Sequence, residues 1–522
     1  MTHIWTKATS ITELQKTGRL LRKIDGVQVA LFQTKSGVRA VSNRCPHEGF
    51  PLIEGTLNEK CQLACNWHGW TFDLETGEAV QGRDAVKVFP VLIKGDDILV
   101  DISPDPVEKQ LERADKDIRE AVDEYDYERL ARGLARQEKA GGDGNRTTLD
   151  ILAWSVDRLE RGFGHAHAGL ADWLTLADAY PDKALHARLE AYAIFSWDCR
   201  FSPFSPVPEG TMPWDREKFL DALEQMDQQK AVRMVRGAVA SGLGFRDLEP
   251  VFQDFVYSHY AGFGHPVIFL QKARELVDRL GAGAEKDLMI QLSRYFVLSA
   301  REDLIPEFKS FRIHLHTTEA ETIGALPGPE TLSTYSVREL HRVTAGAIEP
   351  PQQVWETLLH AAALQLLRFK EEIQHRTDNP VGQNIGFLDF THALTFAEAG
   401  YIHAKKRPEL WHSLNLQLGC FVGRNSSFID PNASYEDYVV ADADLYLDHV
   451  TEALFDMDAG AYIYSVHRLK SIMAVKRLLP SVSAETGRVV VAALNRYLSI
   501  PARQHHTART VNQARATVAR EG

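Results

Sequence analysis

The sequence is poor in cysteine, lacks long apolar runs and carries no excess of positive charge. Five cysteines in 522 residues cannot build the dense disulfide framework of a small secreted scaffold. No apolar stretch approaches the ~18 to 20 residues that cross a bilayer; Val489 to Leu494 stops after a handful, and no membrane partner is expected. The 59 Lys and Arg residues against 71 Asp and Glu leave a net charge of -12, which argues against a nucleic-acid partner that would require a basic face. The opening Met1-Thr2-His3-Ile4-Trp5 has neither a basic flank with an apolar stretch nor a twin-arginine pair, so the expected address is cytoplasmic. What is present is an ordinary globular composition, 44% hydrophobic and 25% charged, in a chain long enough for two or three domains.

The pattern divides the chain. From Val27 to about Asp101, short alternating runs such as Val27, Val29 and Leu31 are broken by turns such as Lys35-Ser36-Gly37, which predicts a small all-β domain over residues 1–105. Residues 106–145 are dense in mixed charge, as in Glu112-Arg113-Ala114-Asp115-Lys116-Asp117, and predict a solvated helical linker. Residues 146–500 carry three-and-four apolar spacing, for example over 355–373, 385–405 and 461–479, and predict a large, mainly α-helical domain. The tail, 501–522, is expected to be a frayed helix or disordered.

Three of the five cysteines fall within 21 positions. Cys45-Pro46-His47 is followed, after 17 residues, by Cys65-Asn66-Trp67-His68-Gly69-Trp70. Four such ligands also satisfy tetrahedral zinc, but a zinc finger groups cysteine with cysteine and histidine with histidine. Here each loop supplies one of each, as a two-iron cluster requires if one iron takes both thiolates and the other both imidazoles. With the continuation His68-Gly69-Trp70-Thr71-Phe72-Asp73 and the Gly77-Glu78 turn, the segment resembles the Rieske [2Fe-2S] domain of oxygenases and their ferredoxins. That resemblance implies Cys45 and Cys65 on the inner iron and His47 and His68 on the outer one. The additional cysteine pair of respiratory Rieske proteins is missing, which implies a potential toward the lower end of the range. Trp67 and Trp70 flank the outer ligand, either as packing or as contact for an electron partner.

A cluster of this kind moves electrons, so the rear domain must show what they serve. Ordinary Rieske oxygenases hold iron on an Asp/Glu-x-x-His-x₄₋₅-His run. The nearest approximation, Asp254-x₄-His259-x₅-His265, has the wrong first spacing. Gly162-Phe163-Gly164-His165 and Gly262-Phe263-Gly264-His265 each set a histidine at the start of a helix. His392 lies in an apolar helix, and His467 and Lys470 are one turn apart. Four histidines opening or centring separate helices suit a metal or substrate site in a bundle core. His165-Ala166-His167, Gly264-His265-Pro266, Asp389-Phe390-Thr391-His392 and His467-x-x-Lys470 together resemble the questin oxidase-like family, helical oxygenases acting on polycyclic aromatic ketones and quinones. The resemblance implies non-haem iron on His165, His265, His392 and His467, with Lys470 as a helper that must be neutral or chemically modified. His167 competes with His165 for the first place.

Asp389, one turn before His392, is a candidate to orient that ligand. His403 shares the His392 face but lies about 16 Å along a continuous helix, too far to share an ion. His314 and His316 would share one face of a strand. Cys199 and Cys420 read as buried small hydrophobes; Glu275 and Glu398 are open carboxylate candidates. Trp173, Trp197 and Phe387 are expected substrate walls. The expectation is an oxygenase in which a reductase or ferredoxin reduces a [2Fe-2S] cluster, which passes electrons to non-haem iron acting on dioxygen and an aromatic or quinone-like organic substrate, in a homo-oligomer. The alternatives are an electron carrier or redox sensor with no second metal, and a zinc-assisted hydrolase.

Overall fold

The computed structural model describes residues 4–316, 323–380, 384–456, 461–500, 511–513 and 515; most of the predicted tail lies outside them. It divides into two compact units, Met1–Asp143 and Gly144–Gly522. No helix among the described residues is long and apolar enough to cross a membrane.

The first unit is built on three antiparallel sheets. Trp5–Ser10, Asp97–Asp101 and Val91–Lys94 form one; Arg19–Ile24, Val27–Thr34, Gly37–Ser42 and Val88–Phe89 form the second; Thr56–Leu57, Gln62–Ala64, Thr71–Asp73 and Ala79–Gln81 form the third. The Asp25-Gly26 pair takes positive φ at both positions, the turn that fits the twist of a two-residue hairpin. Strand Val27–Thr34 is buried on both faces. Ala30 and Phe32 enter the core that holds Cys45 and Cys65, while Val29 and Leu31 enter a second core with Ile98 and Val100, because alternate side chains leave a strand on opposite sides.

The charged segment is not a solvated linker. It folds as two helices, Val107–Glu124 and Tyr127–Lys139, in a hairpin belonging to the first unit. Ala114, Ile118, Ala121, Val122, Leu130 and Leu134 are buried. The helices approach so closely that a Cβ on Gly133 would sit 2.8 Å from Ile118 Cγ1. Arg129, Arg132 and Arg136, spaced three and four apart on one helix face, all reach the fully buried Asp84 of the β-domain, at 3.3, 2.8 and 2.7 Å. The stripe of arginine faces inward because an acid waits there.

The second unit is helical. Four of its helices, His165–Ala179, His265–Leu280, Phe387–Lys406 and Tyr462–Leu478, pack on one another and position the histidines. Residues 309–315 are helix, Lys309–Leu315, so His314 and His316 do not share the face that a strand would give them. The Phe311/Ile313 alternation is too short to separate the two periods, and Ile313 is exposed.

Candidate metal centres

Each of the two Cys-His loops closes by the same pair of backbone hydrogen bonds. The Cys45 amide donates to Phe50 and that of Gly49 to Cys45; the Cys65 amide donates to Trp70 and that of Gly69 to Cys65. Gly49 and Gly69 have φ of 76° and 75°, a left-handed conformation that favours glycine at this shared position. The twin loops differ in where histidine falls, two residues after Cys45 and three after Cys65.

Both cysteines are buried, with 4% and 2% exposure, whereas the side chains of His47 and His68 are 27% and 40% exposed. Their ring centroids lie 4.8 Å apart. Burial pushes the Cys45 thiol up to about 11, while the backbone amides of His47 and Glu48, hydrogen-bonded to it, pull the other way. Amide donors aimed at a sulfur suit a thiolate ligand. Trp70 stacks on His47 at 4.6 Å and lies under the Arg132 guanidinium; Trp67 is 60% exposed. The carboxylate of Glu48 stands 3.9 Å from His47 Nε2 and 3.7 Å from His68 Nδ1.

In the helical unit, His165, His265, His392 and His467 come together, with one ring nitrogen from each lying within 4.8 Å of the others. His265 Nε2 lies 3.1 Å from His165 Nε2 and 3.0 Å from His392 Nε2, which lies 3.3 Å from His467 Nε2. The opposite nitrogens are engaged by backbone. Nδ1 of His265 donates to the Gly262 carbonyl at 2.6 Å, that of His392 to Leu388 at 2.5 Å and that of His467 to Ile463 at 2.5 Å. These bonds select the tautomer that leaves each Nε2 a bare lone pair. Burial, followed by the charges of Lys470 and the neighbouring rings, pushes His165, His392 and His467 well below the ordinary histidine value; burial brings His265 down to about 3.

The repeated Gly-Phe-Gly-His tetrapeptide reaches this point by two routes. Gly262, Phe263 and Gly264 all have positive φ, and a Cβ on Gly264 would meet Phe421 Cζ at 2.6 Å. In the first copy Gly164 is extended. His167 turns away from the cluster. Its Nδ1 accepts from the Gly164 amide at 3.2 Å and its ring stacks on Phe163, so His165 is the member that converges.

Lys470 is 1% exposed, its Nζ has no hydrogen-bond partner, and it lies over the Phe269 ring. Burial lowers it to about 7, with Asp172 partly opposing. Asp389 does not orient His392. It accepts from the Gly386 amide at 2.8 Å and pairs with Arg424 at 3.0 Å, because the third residue of a helix is well placed to cap the helix start. Asp254 pairs with Arg216 and Arg407, and His259 with Glu224 and Asp303, so only His265 of that run joins the cluster. His403 bonds Tyr257 instead, and His314 caps back onto the Ser310 carbonyl. Cys199 and Cys420 are buried.

The aromatic rings beside the histidines are Phe263 and Phe269, not Trp173, Trp197 and Phe387, which pack on Phe455, on Phe201 and Tyr462, and on Phe369. Below the histidines lies a layer of largely buried ions, in which Glu275 and Glu398 were carboxylate candidates from sequence and Asp172, Lys272 and Arg477 were missed. Lys272 contacts Asp172 at 2.7 Å and Glu275 at 2.9 Å; Arg477 contacts Asp172 at 3.1 Å and Glu398 at 2.6 Å. Asp172 and Lys272 each fall seven residues after a clustered histidine, two turns along the same face. That spacing was the available signal.

Paired buried thiols with paired exposed imidazoles, on twin loops of a small β-domain, define an iron–sulfur redox module of mixed ligation. The Rieske [2Fe-2S] domain family matches residues 4–91. The ferredoxin component of the naphthalene 1,2-dioxygenase system of Pseudomonas aeruginosa is 28% identical over 105 residues, 20% of this chain and 100% of the relative. The 3-phenylpropionate/cinnamic acid dioxygenase ferredoxin subunit of Escherichia coli (strain K12) is 31% identical over 87 residues, 16% of this chain and 82% of the relative. The chain belongs, through this unit, to the Rieske [2Fe-2S] domain family. The 4beta-methylsterol monooxygenase of Methylococcus capsulatus is 35% identical over 107 residues, but these are 17% of this chain and only 29% of that enzyme. Among solved structures, the ferredoxin of carbazole 1,9a-dioxygenase from Nocardioides aromaticivorans IC177 is 24% identical, with 19% of this chain and 98% of that chain covered and a TM-score of 0.18.

Proposed function

We propose that the chain is an oxygenase in which a [2Fe-2S] cluster, on Cys45 and Cys65 at its inner iron and His47 and His68 at its outer iron, feeds electrons to a non-haem iron on His165, His265, His392 and His467. The observation that carries the reading is the 3.0 to 3.3 Å approach of Nε2 atoms, with the ring protons of His265, His392 and His467 already held at Nδ1 by backbone carbonyls. Lone pairs so close repel, burial disfavours protonating them, and a cation in their midst removes the conflict. Ligand atoms about 2.1 Å from an ion lie about 3.0 Å apart at right angles and about 3.4 Å apart in a tetrahedron. The three observed contacts, 3.0 to 3.3 Å, fall within that range. Iron held there would supply one-electron chemistry toward dioxygen.

The chain's own residues supply the rest. Phe263 and Phe269 wall the histidines with aromatic faces, which suits a planar aromatic or quinone-like substrate and excludes water. Lys470, as a neutral or chemically modified amine over the Phe269 ring, is placed to take up a proton or complete the ligand set. Exposed Trp67, beside His68, is the contact for an electron-donating reductase or ferredoxin, and a homo-oligomer lets electrons cross between subunits.

Iron and acid-labile sulfide, measured on anaerobically purified protein, test this. Three irons per two sulfides are expected. Two per two without another metal would leave an electron carrier, and zinc in place of the third iron would point to hydrolysis. Replacing His392 with alanine should remove one iron per chain and leave the Rieske visible absorbance intact; an unchanged count refutes the ligand set.

A further inference from the structure

A cleft of about 590 Å³ lies within the first unit, between the β-domain and the helical hairpin, a size suited to a small molecule. Nine of its lining side chains are Lys or Arg and four are Asp or Glu, in a chain whose net charge is -12. Most of these cations are answered from within. Arg129 and Arg136 turn to Asp84 and Asp117, Arg83 to Glu124 and Asp126, and Lys87 and Lys109 share Asp105.

Arg113 and Lys139 differ. Arg113 donates through Nη2 to the Ala85 carbonyl, its buried Nε has no hydrogen-bond partner, and no carboxylate pairs with it among the described residues. Burial and the like charge of Arg136 hold its guanidinium below the ordinary arginine value. Asp117, Asp84 and Glu78 oppose this from a distance, but none of them pairs with Arg113 among the described residues, so a guanidinium this desolvated gains from an anion in direct contact. Lys139, at the end of the second hairpin helix, lines the same cleft without an ion pair among the described residues.

We propose that this cleft binds a small polyanion carrying phosphoryl groups, with Arg113 and Lys139 as its main ligands and Arg44 and Arg136 flanking. A guanidinium fork matches phosphate oxygens in pairs, and an ammonium on the same cleft can take a second phosphoryl group. Arg44 and Pro46, the two neighbours of Cys45, also line the cleft, so the ligand sits against the first cluster loop.

The test is calorimetric titration of the full-length holoprotein with inorganic pyrophosphate at constant ionic strength. Saturable one-to-one binding is expected, weakened roughly tenfold or more by Arg113→Gln and several-fold by Lys139→Gln, and unchanged by Lys23→Gln, an exposed charge outside the cleft. Sulfate should bind at least about tenfold more weakly than pyrophosphate. Lys139 is exposed, so its variant carries the test should Arg113→Gln fail to fold. The absence of saturable binding at millimolar pyrophosphate, or the same affinity in Lys139→Gln, overturns the proposal. So does indifference to pyrophosphate with loss of binding to an acidic electron-donor protein, which would reassign the cleft to a macromolecule.

Discussion

Replacing Asp84 with alanine asks whether residues 107–139 are clamped to the β-domain or trail from it as their charge pattern suggests. Asp84 is fully buried and takes three arginines, at 2.7, 2.8 and 3.3 Å. Removing one member of a buried ion pair costs about 3–5 kcal/mol, much of it the penalty of a stranded charge. Arg132 and Arg136 are 22% and 27% exposed, and Asp117 still holds Arg136 at 2.6 Å and Arg129 at 3.3 Å. Water and Asp117 together recover part of the loss, which places the cost at the low end, about 3 kcal/mol.

At about 1.36 kcal/mol per tenfold, the hairpin of the variant should open on the order of a hundredfold more often. Hydrogen exchange followed by mass spectrometry reads this directly. Amides of Val107–Glu124 and Tyr127–Lys139 should lose protection by that factor, while strand Val27–Thr34 keeps its own. A loss below about threefold, the scale of a surface ion pair, would refute the clamp and restore the solvated linker.

The same carboxylate makes the clamp pH-dependent. Burial alone would raise Asp84, but the hydrogen bonds and charges of Arg132 and Arg136 outweigh it and hold it below the ordinary carboxylate value. Its contribution is therefore fully present above the unfolded value of about 4 and is lost as pH falls through the depressed one; the stability gap between wild type and Asp84→Ala should be flat from neutral pH to about 5 and narrow below 4. Lys470→Met should leave the melting temperature unchanged or raise it, since an unpartnered buried amine costs about 1–3 kcal/mol, while substrate-dependent oxygen uptake falls; a lowered melting temperature would make the amine structural. Gly264→Ala should destabilise the helical unit by about 2–4 kcal/mol, from its left-handed φ and the contacts with Phe421 and Phe396, and lower its iron content; thermal melts with iron assays check both.

What was legible and what was not follow from how far each signal reaches along the chain. The Rieske loops were readable because ligand chemistry, loop closure and the left-handed glycine all fall within six residues of each cysteine. The clustering of His165, His265, His392 and His467 was within reach through their motifs, although convergence itself is a tertiary fact. The hairpin was misread because an arginine stripe looks the same whether water or a buried acid answers it, and Asp84 lies about 45 residues before Arg129. Asp389 was misread because one helical turn fits a capping role as well as a ligand-orienting one. Phe263 was overlooked for Trp173, Trp197 and Phe387, which pack elsewhere.

The ion layer bears on why a histidine-only site suits this bundle. Four neutral imidazoles would leave the charge of a dication bound there uncompensated, since no carboxylate belongs to the cluster among the described residues. Down the helices, Asp172, Glu275 and Glu398 outnumber Lys272 and Arg477 by one negative charge when all are ionised, with Glu275 and Arg477 about 15 Å along from the histidine of their own helix and the other three about 10 Å. At that distance and an effective dielectric near 20, one unit charge acts on another with about 1.7 kcal/mol, enough to favour a dication by a few kcal/mol without occupying a coordination position. The layer also joins the same four helices that carry the histidines. A one-residue slip of any of them would turn its imidazole by about 100° and carry its charged residue away from its partners. Buried ion pairs are poor sources of net stability compared with packed apolar side chains; their value at this depth lies in making the register that satisfies the charges the same register that gathers the imidazoles.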